Sequence, residues 1–395
     1  MTEHLKRRIG LGLLTAYGVG VMVGAGIYVL VGAVAAQAGV WAPLSFLIAG
    51  LIAAPTALSY AEFTTRLPEA AGEALFVEKG LNTRFLGVVV GLAIVVAGTV
   101  SAGAVLRGGA GYLNSVTDWP DQWVIVIMGL FLMGVAIVGV LESLSMAALF
   151  TAIEIFGLCL VVWAGAEAAP VADYSVPPQI VWSGVAAGAV LAFFAFIGFE
   201  DIVNMAEEVR TPERTLPRAI LFSLVLTSLL YGLVSWAAVR AVPMDQLAGS
   251  EQPLSLVWAA AFGGSAGFLS LIAVAAALNG VLAQVVMAAR VLFGLGRRHS
   301  ALSIFYHASP RFGTPVLATV MIGAGVIAGA LVLPVAQLAE VTSVILLSVF
   351  VLVNTSLIVL KRRTPEAPFT VPMIVPVVGL LAAVAALTLS LGGGG

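Results

Sequence analysis

Apolar residues run in long unbroken blocks along this chain, without the alternation of a half-buried strand or the narrow stripe of a surface helix. Eleven blocks are long enough to cross a hydrocarbon core of roughly 30 Å as α-helices. They fall at about 11–36, 41–63, 85–111, 122–140, 146–167, 181–206, 217–239, 262–292, 315–334, 337–360 and 371–391. Short loops join them, and Gly80-Leu-Asn-Thr83 and Asp118-Trp-Pro-Asp121 read as turns. Ten-residue segments of alternating polarity, which would mark a membrane barrel, are absent. The pattern predicts an all-α polytopic membrane protein, a single transmembrane domain over 1–395.

The stretch 254–292 is too long for one perpendicular span and short for two, and charge decides between them. Counted as one span with the N-terminus inside, 16 of the 18 Lys and Arg fall at cytoplasmic ends or loops, all but Arg107 and Arg240. Counted as two, the split becomes nine to nine. The positive-inside rule favours one span, with Gly263-Gly-Ser-Ala-Gly267 separating it from a short outer segment. The expected location is the cell membrane, with a cytoplasmic N-terminus and an external C-terminus in Leu391-Gly-Gly-Gly-Gly395.

Composition agrees: 61% of residues are hydrophobic, 10% are charged and the mean hydropathy is +1.10. The net charge of −2 says little about partners, and no nucleic acid is expected. Lys6-Arg7-Arg8 before an apolar run looks like a signal peptide, but that run is too long for one. Cys159 is the single cysteine, so no internal disulfide can form. His4, His299 and His307 lie outside the spans, which leaves no histidine proton relay.

Two spans carry more than crossing requires. Span one contains Tyr17-Gly-Val-Gly-Val-Met-Val-Gly-Ala-Gly-Ile-Tyr28, with Gly18, Gly20, Gly24 and Gly26 within nine residues. Such a stretch can unwind and lie close to a ligand, and unwound backbone at membrane depth survives only inside protein or along a cavity. Close helix packing through Gly20-xxx-Gly24 is the competing reading. Span six reads Phe193-Phe-Ala-Phe-Ile-Gly-Phe-Glu-Asp-Ile-Val-Asn204. Its carboxylates follow a glycine inside an apolar block, where a charge costs roughly 2.5–3.5 kcal/mol near the centre. Solvation near the cytoplasmic interface is the competing reading for Glu200 and Asp201. Spans one and six open two five-helix halves, 11–168 and 181–360, with 371–391 as an additional helix. Glycine-interrupted helices at matching places in two halves point to a midplane site in an inverted-repeat transporter. Five being odd, the halves insert with opposite orientation.

The stretch from Arg8 to Gly20, with Gly24-Ala-Gly-Ile-Tyr-Val-Leu30, resembles the first helix of the amino acid–polyamine–organocation permeases. Ala57-Leu-Ser-Tyr-Ala-Glu62 with Pro68-Glu-Ala-Ala-Gly-Glu73 continues the likeness. Phe193-Phe-Ala-Phe-Ile-Gly-Phe-Glu200 with Ala206-Glu-Glu-Val-Arg-Thr-Pro-Glu-Arg-Thr-Leu-Pro217 is similar to the cationic amino acid transporter branch and its prokaryotic relatives. Ala289-Arg-Val-Leu-Phe-Gly-Leu295 and Ser309-Pro-Arg-Phe-Gly-Thr-Pro315 extend it, so that it covers about residues 8–363. Members usually have twelve helices, one more than here.

The resemblance implies a LeuT-type 5+5 inverted-repeat bundle with discontinuous helices 1 and 6, working as a secondary transporter by alternating access. On that reading, free N–H groups around Gly24, Ala25 and Gly26 hold a substrate carboxylate. Carbonyls near Val21 and Met22 and near Phe193 and Ala195 accept its ammonium, while Phe196 and Phe199 flank its side chain as part of a gate. Proton-coupled relatives place a lysine where this chain has Glu154, in Thr151-Ala-Ile-Glu-Ile-Phe-Gly157. A carboxyl there can load and release a proton or ligate sodium. The proton is favoured because span eight lacks paired hydroxyls and offers Asn279 and Gln284 instead. Glu62 and Glu200 are candidate gate residues, and Arg107 is expected to snorkel to the outer interface.

The expected function is amino acid permeation by proton symport, with sodium-independent exchange or amine and polyamine transport as alternatives and a channel as the non-transporter alternative. No cofactor or metal is expected. An enzyme is disfavoured, since no catalytic cluster falls within the spans, and Gly18-x-Gly20-xxx-Gly24 lacks both the strand and the spacing of a dinucleotide fingerprint. Gly- and Ala-rich walls suit a small to medium apolar substrate such as Ala, Val or Leu.

Overall fold

In the computed structural model the described residues are 9–67, 72–117, 119–139, 144–171, 178–250, 252–264 and 266–392, and the side chains of Ala25, Ser115, Val116, residues 144–147, Asn204, Glu207 and Glu208 are not among those described. Helical backbone matches every expected span. Spans one to six are α1 (Leu11–Ala38), α2 (Ala42–Arg66), α4 (Arg84–Thr117), α5 (Asp121–Val138), α6 (Leu144–Glu167) and α7 (Trp182–Phe193), the last extended by 3-10 turns at Phe194–Phe196 and Glu200–Glu208. Spans seven to eleven are α8 (Pro212–Ala241), α11 (Gly267–Arg298), α12 (Val316–Val332), α13 (Val335–Arg363) and α14 (Ile374–Gly392). Three shorter helices lie between them: α3 (Gly72–Leu81), α9 (Met244–Gly249) and α10 (Pro253–Phe262). Nine helical stretches among the described residues are long and apolar enough to cross a membrane, and shorter apolar helices accompany them. Positive φ at Gly263 and Gly264 turns the chain between α10 and α11, which separates the short segment Pro253–Phe262 from span eight. The loop reading missed α3, whose interior holds Glu73, Leu75, Phe76 and Val77 buried.

In lipid the helices have little hydrophobic drive to associate, and packing with internally satisfied polar groups holds them together. Many hydroxyls bond back to the carbonyl four residues earlier, Thr99 to Val95, Ser228 to Leu224 and Thr355 to Val351 among them. Asn354 in α13 reaches α2 at Ser59 and Thr56, at 2.7 and 2.8 Å. Helix contacts recur in sets related by a shift of five spans. Span one packs on six, two on seven, three on eight and four on nine. One on seven is matched by six on two, five on seven by ten on two, three on ten by eight on five, and three on nine by eight on four.

Arg107 ties two helices together. It is half-buried and donates to the Ala330 carbonyl at 2.8 Å, so it caps the end of α12. Arg240 likewise bonds the carbonyls of Gly165 and Ala168 at the end of α6. A cation at a helix C-terminus meets carbonyls that have no helical partner.

Glu62 is fully buried in a bracket between three spans. Lys361 of α13 donates to both of its oxygens at 2.9 and 2.7 Å, Arg66 lies 2.6 Å from Oε1, and the Val371 amide donates to Oε2 at 2.8 Å. Arg66 also holds the Thr364 carbonyl at 2.7 Å, so the bracket pins the lead into α14. Removing the anion strands two cations whose side chains are 6% and 9% exposed. Glu62→Gln is therefore expected to cost about 3–5 kcal/mol. Thermal unfolding of the detergent-solubilised variant checks this, and an unchanged midpoint would refute it.

Candidate functional site

Both interrupted helices open where the glycines stand. In α1 the helix breaks at Gly24, with φ −9° and ψ −166°. In span six the turn Phe194–Phe196 passes into extended Ile197 and then Gly198 at φ +121°, a region that disfavours any side chain. The two breaks touch. A Cβ on Gly198 would sit 2.7 Å from Val21 Cγ1 and 3.1 Å from the Met22 nitrogen, and one on Gly26 would sit 3.1 Å from Ala195 Cα. Gly280 of α11 closes on Gly24 from a third side. The glycines thus serve both readings at once, breaking the helix and permitting close approach.

Tyr231 of α8 joins the breaks. Its hydroxyl lies 2.6 Å from the Met22 carbonyl and 2.8 Å from the Ala195 carbonyl, two of the oxygens expected to receive a substrate ammonium. One hydroxyl proton is shared between two acceptors, so both carbonyls keep acceptor capacity. Phe196 packs edge-on to the Tyr231 ring at 5.2 Å, and Phe46 does so at 5.8 Å. Phe193 and Phe199 meet Phe350 of α13 at 5.7 and 5.4 Å, and Phe199 also meets Tyr60 of α2 at 5.6 Å. These phenylalanines are buried inside the protein and do not face lipid.

Glu154 stands one layer away, on α6. Its Oε1 is 3.4 Å from Asn279 Nδ2 on α11, next in sequence to Gly280. The other oxygen, Oε2, is buried with no hydrogen bond. The Glu154 backbone carbonyl accepts from the Tyr28 hydroxyl at 2.9 Å, and the Tyr28 carbonyl accepts from Tyr112 at 2.7 Å. This chain of bonds ties the second half of span one to spans three, five and eight. The structure thus brings Val21, Met22, Gly24, Gly26, Ala195, Phe196, Glu154 and Asn279 to one locality. Phe193 and Phe199 lie in the adjoining aromatic cluster, the side chain of Ala25 is outside the described residues, and Glu62 belongs to its bracket. Glu200 and Asp201, each 4% exposed, are not solvated. Among the described residues no group of three or more His, Cys, Asp or Glu is placed to hold a metal.

Where the two breaks approach, the Met22 and Ala195 carbonyls converge as acceptors on one hydroxyl. The cavity beside Glu200, Asp201, Gln284 and Ser101 measures only about 10 Å³, room for about one water.

Sequence comparison extends the match beyond the site. The chain aligns with the branched-chain amino acid permease BcaP of Bacillus subtilis at 30% identity, over 93% of this chain and 83% of that protein. It is 31% identical to the vacuolar cationic amino acid transporter 4 of Arabidopsis thaliana over 82% of this chain, and 29% identical to human cationic amino acid transporter 4 over 93%. It spans 58% and 62% of the lengths of those two. The amino acid permease family matches residues 9–392. With that coverage, and with two facing interrupted helices, the chain belongs to the amino acid permease family.

Proposed function

We propose that this protein is a secondary transporter that carries amino acids across the cell membrane by alternating access, coupled to protons. The observation that carries the reading is the pair of opposed breaks at Gly24 and Gly198, whose free backbone groups suit a substrate ammonium and carboxylate. The matched packing of spans one to five with spans six to ten supports two inverted halves, because a two-fold relation turns each contact of i with j into one of j with i. Clustering of Lys and Arg at one side supports a cytoplasmic N-terminus. Proton coupling is assigned to Glu154, whose bare Oε2 has room for a proton beside Asn279. Apolar walls at Gly26, Ala195, Phe196 and Gly280 suit a small to medium neutral side chain.

The test is uptake of a labelled amino-acid panel into sodium-free proteoliposomes, with and without an inward proton gradient. Gradient-driven accumulation of one or more amino acids is the expected result. Accumulation only with sodium would move Glu154 to an ion ligand. Exchange without accumulation would make the protein an exchanger. Flux that fails to saturate would indicate a channel.

A further inference from the structure

A second cavity lies on the other side of α11 from the breaks. It measures about 50 Å³, several times what one water needs, and sits between α5, α11 and α12. Leu282 and Val286 form its α11 wall and Val135 and Ala136 its α5 wall, while Thr319 faces them from α12. Gln284, which lines the small cavity beside the breaks, is about 200° around the helix from Leu282. The two cavities are therefore separate. The walls of the second are tied together at one end. Gly139, at φ +78°, ends α5 where an added Cβ would sit 3.2 Å from Thr314 Cγ2, and the Thr314 hydroxyl donates to the Ile137 carbonyl at 2.6 Å. At the rim stands Arg290, exposed and lining the same cavity. Among the described residues it forms no ion pair; the pairs there use Arg66, Arg298 and Lys361. Arg290 opens a stretch, 290–316, that carries four arginines (with Arg297, Arg298 and Arg311) and no Asp or Glu. The same stretch exposes Ile304, Tyr306 and Phe312, and Val138 and Leu317 are exposed on the helices that wall the cavity. Cations interleaved with exposed apolar side chains suit a bilayer surface that carries negative charge.

We infer that the cavity between α5, α11 and α12 is a binding site for an anionic phospholipid of the cytoplasmic leaflet. Its phosphate sits on Arg290, and the start of an acyl chain lies against Val135, Leu282 and Val286. Apolar walls with one cation at the rim match the two ends of such a molecule. A free phosphate would use the arginine and leave the walls wet. A neutral lipid would cover the walls and leave the guanidinium without a counter-charge. Guanidinium and phosphate pair through charge-assisted, commonly bidentate bonds, which a lone ammonium does not reproduce. A lipid held there bridges three spans and stabilises their packing by mass action. The inference rests on the proposed orientation only for which leaflet supplies the lipid.

Native mass spectrometry of the detergent-purified full chain, titrated with phosphatidylglycerol or phosphatidylcholine, tests this. Phosphatidylglycerol is expected to be retained about tenfold or more tightly than phosphatidylcholine. Arg290→Gln should weaken that retention about tenfold or more, as loss of a charge-assisted pair requires. Arg297→Gln, which removes an exposed cation outside the cavity, should weaken it by no more than about fivefold, the worth of one basic residue near an anionic surface. Ala136→Leu fills the cavity from the α5 wall while keeping every charge, and should weaken retention as Arg290→Gln does. Arg290→Gln, at an exposed position, carries the test if Ala136→Leu fails to fold. Equal retention of the two lipids, or wild-type retention of phosphatidylglycerol by Arg290→Gln, would overturn the site. So would an equal loss in Arg297→Gln and Arg290→Gln, because the attraction would then belong to the whole basic face. Displacement of the lipid by equimolar inorganic phosphate would show a free-anion site and overturn the lipid as occupant. No part of this measurement uses transport, so its failure and that of the transport reading are told apart.

Discussion

Gly198→Ala should slow amino-acid exchange by about 5- to 150-fold, the equivalent of about 1–3 kcal/mol. Two penalties meet at that position. The backbone holds φ +121°, where an L-residue is strained, and an added Cβ meets the backbone of span one at Val21 and Met22 at about 3 Å. Those atoms cannot swing aside as a flexible side chain would, so the two breaks must separate. Separation moves the Met22 and Ala195 carbonyls off their shared Tyr231 hydroxyl and disturbs the proposed substrate seat. Gly134→Ala is the comparison: it lies within α5 with nothing within 4 Å of the added carbon, and its rate should stay near wild type. Initial exchange rates in proteoliposomes at equal reconstitution measure both. A wild-type rate for Gly198→Ala would mean that the contact between the breaks is not part of the site.

Much of this fold could be read from the sequence because lipid removes alternatives. A block of twenty apolar residues has few options besides a helix, and the observed ends of α2, α5 and α6 lie within three residues of the expected ones. Glycine density disclosed the break at Gly24, and the imbalance of Lys and Arg resolved the stretch around Gly263. What escaped was written in residues that look ordinary in context. α3 is short and of mixed polarity, so neither a membrane-spanning block nor a turn motif announced it. Tyr231 sits in an apolar run with only the single Gly232 beside it, not a cluster of glycines, and its partners Met22 and Ala195 are 209 and 36 residues away. The only available hint was a phenol at mid-span, since a buried hydroxyl needs an acceptor. At Glu62, the position at an inner helix end suggested a gate, and only the approach of Lys361 and Val371 reveals the bracket.

A comparable effect is expected at Glu154. Glu154→Gln should lower proton-driven accumulation by more than about tenfold, the scale of losing one coupling interaction of 1–3 kcal/mol, while exchange of preloaded amino acid falls less. The amide keeps the shape of the side chain and a partner for Asn279, so packing between α6 and α11 survives. It cannot, however, take up and give back a proton. Of its described neighbours, Asn279 does not titrate, and Tyr28 is committed to the Glu154 backbone carbonyl. Comparing accumulation with exchange separates coupling from binding, because a damaged substrate seat would lower both together. Repeating the measurement with sodium distinguishes the ions. If sodium restores accumulation in wild type and not in the variant, Oε2 is a sodium ligand and the proton assignment falls. If the variant accumulates substrate as well as wild type under a proton gradient, Glu154 is a structural acid, and the coupling proton must be sought elsewhere.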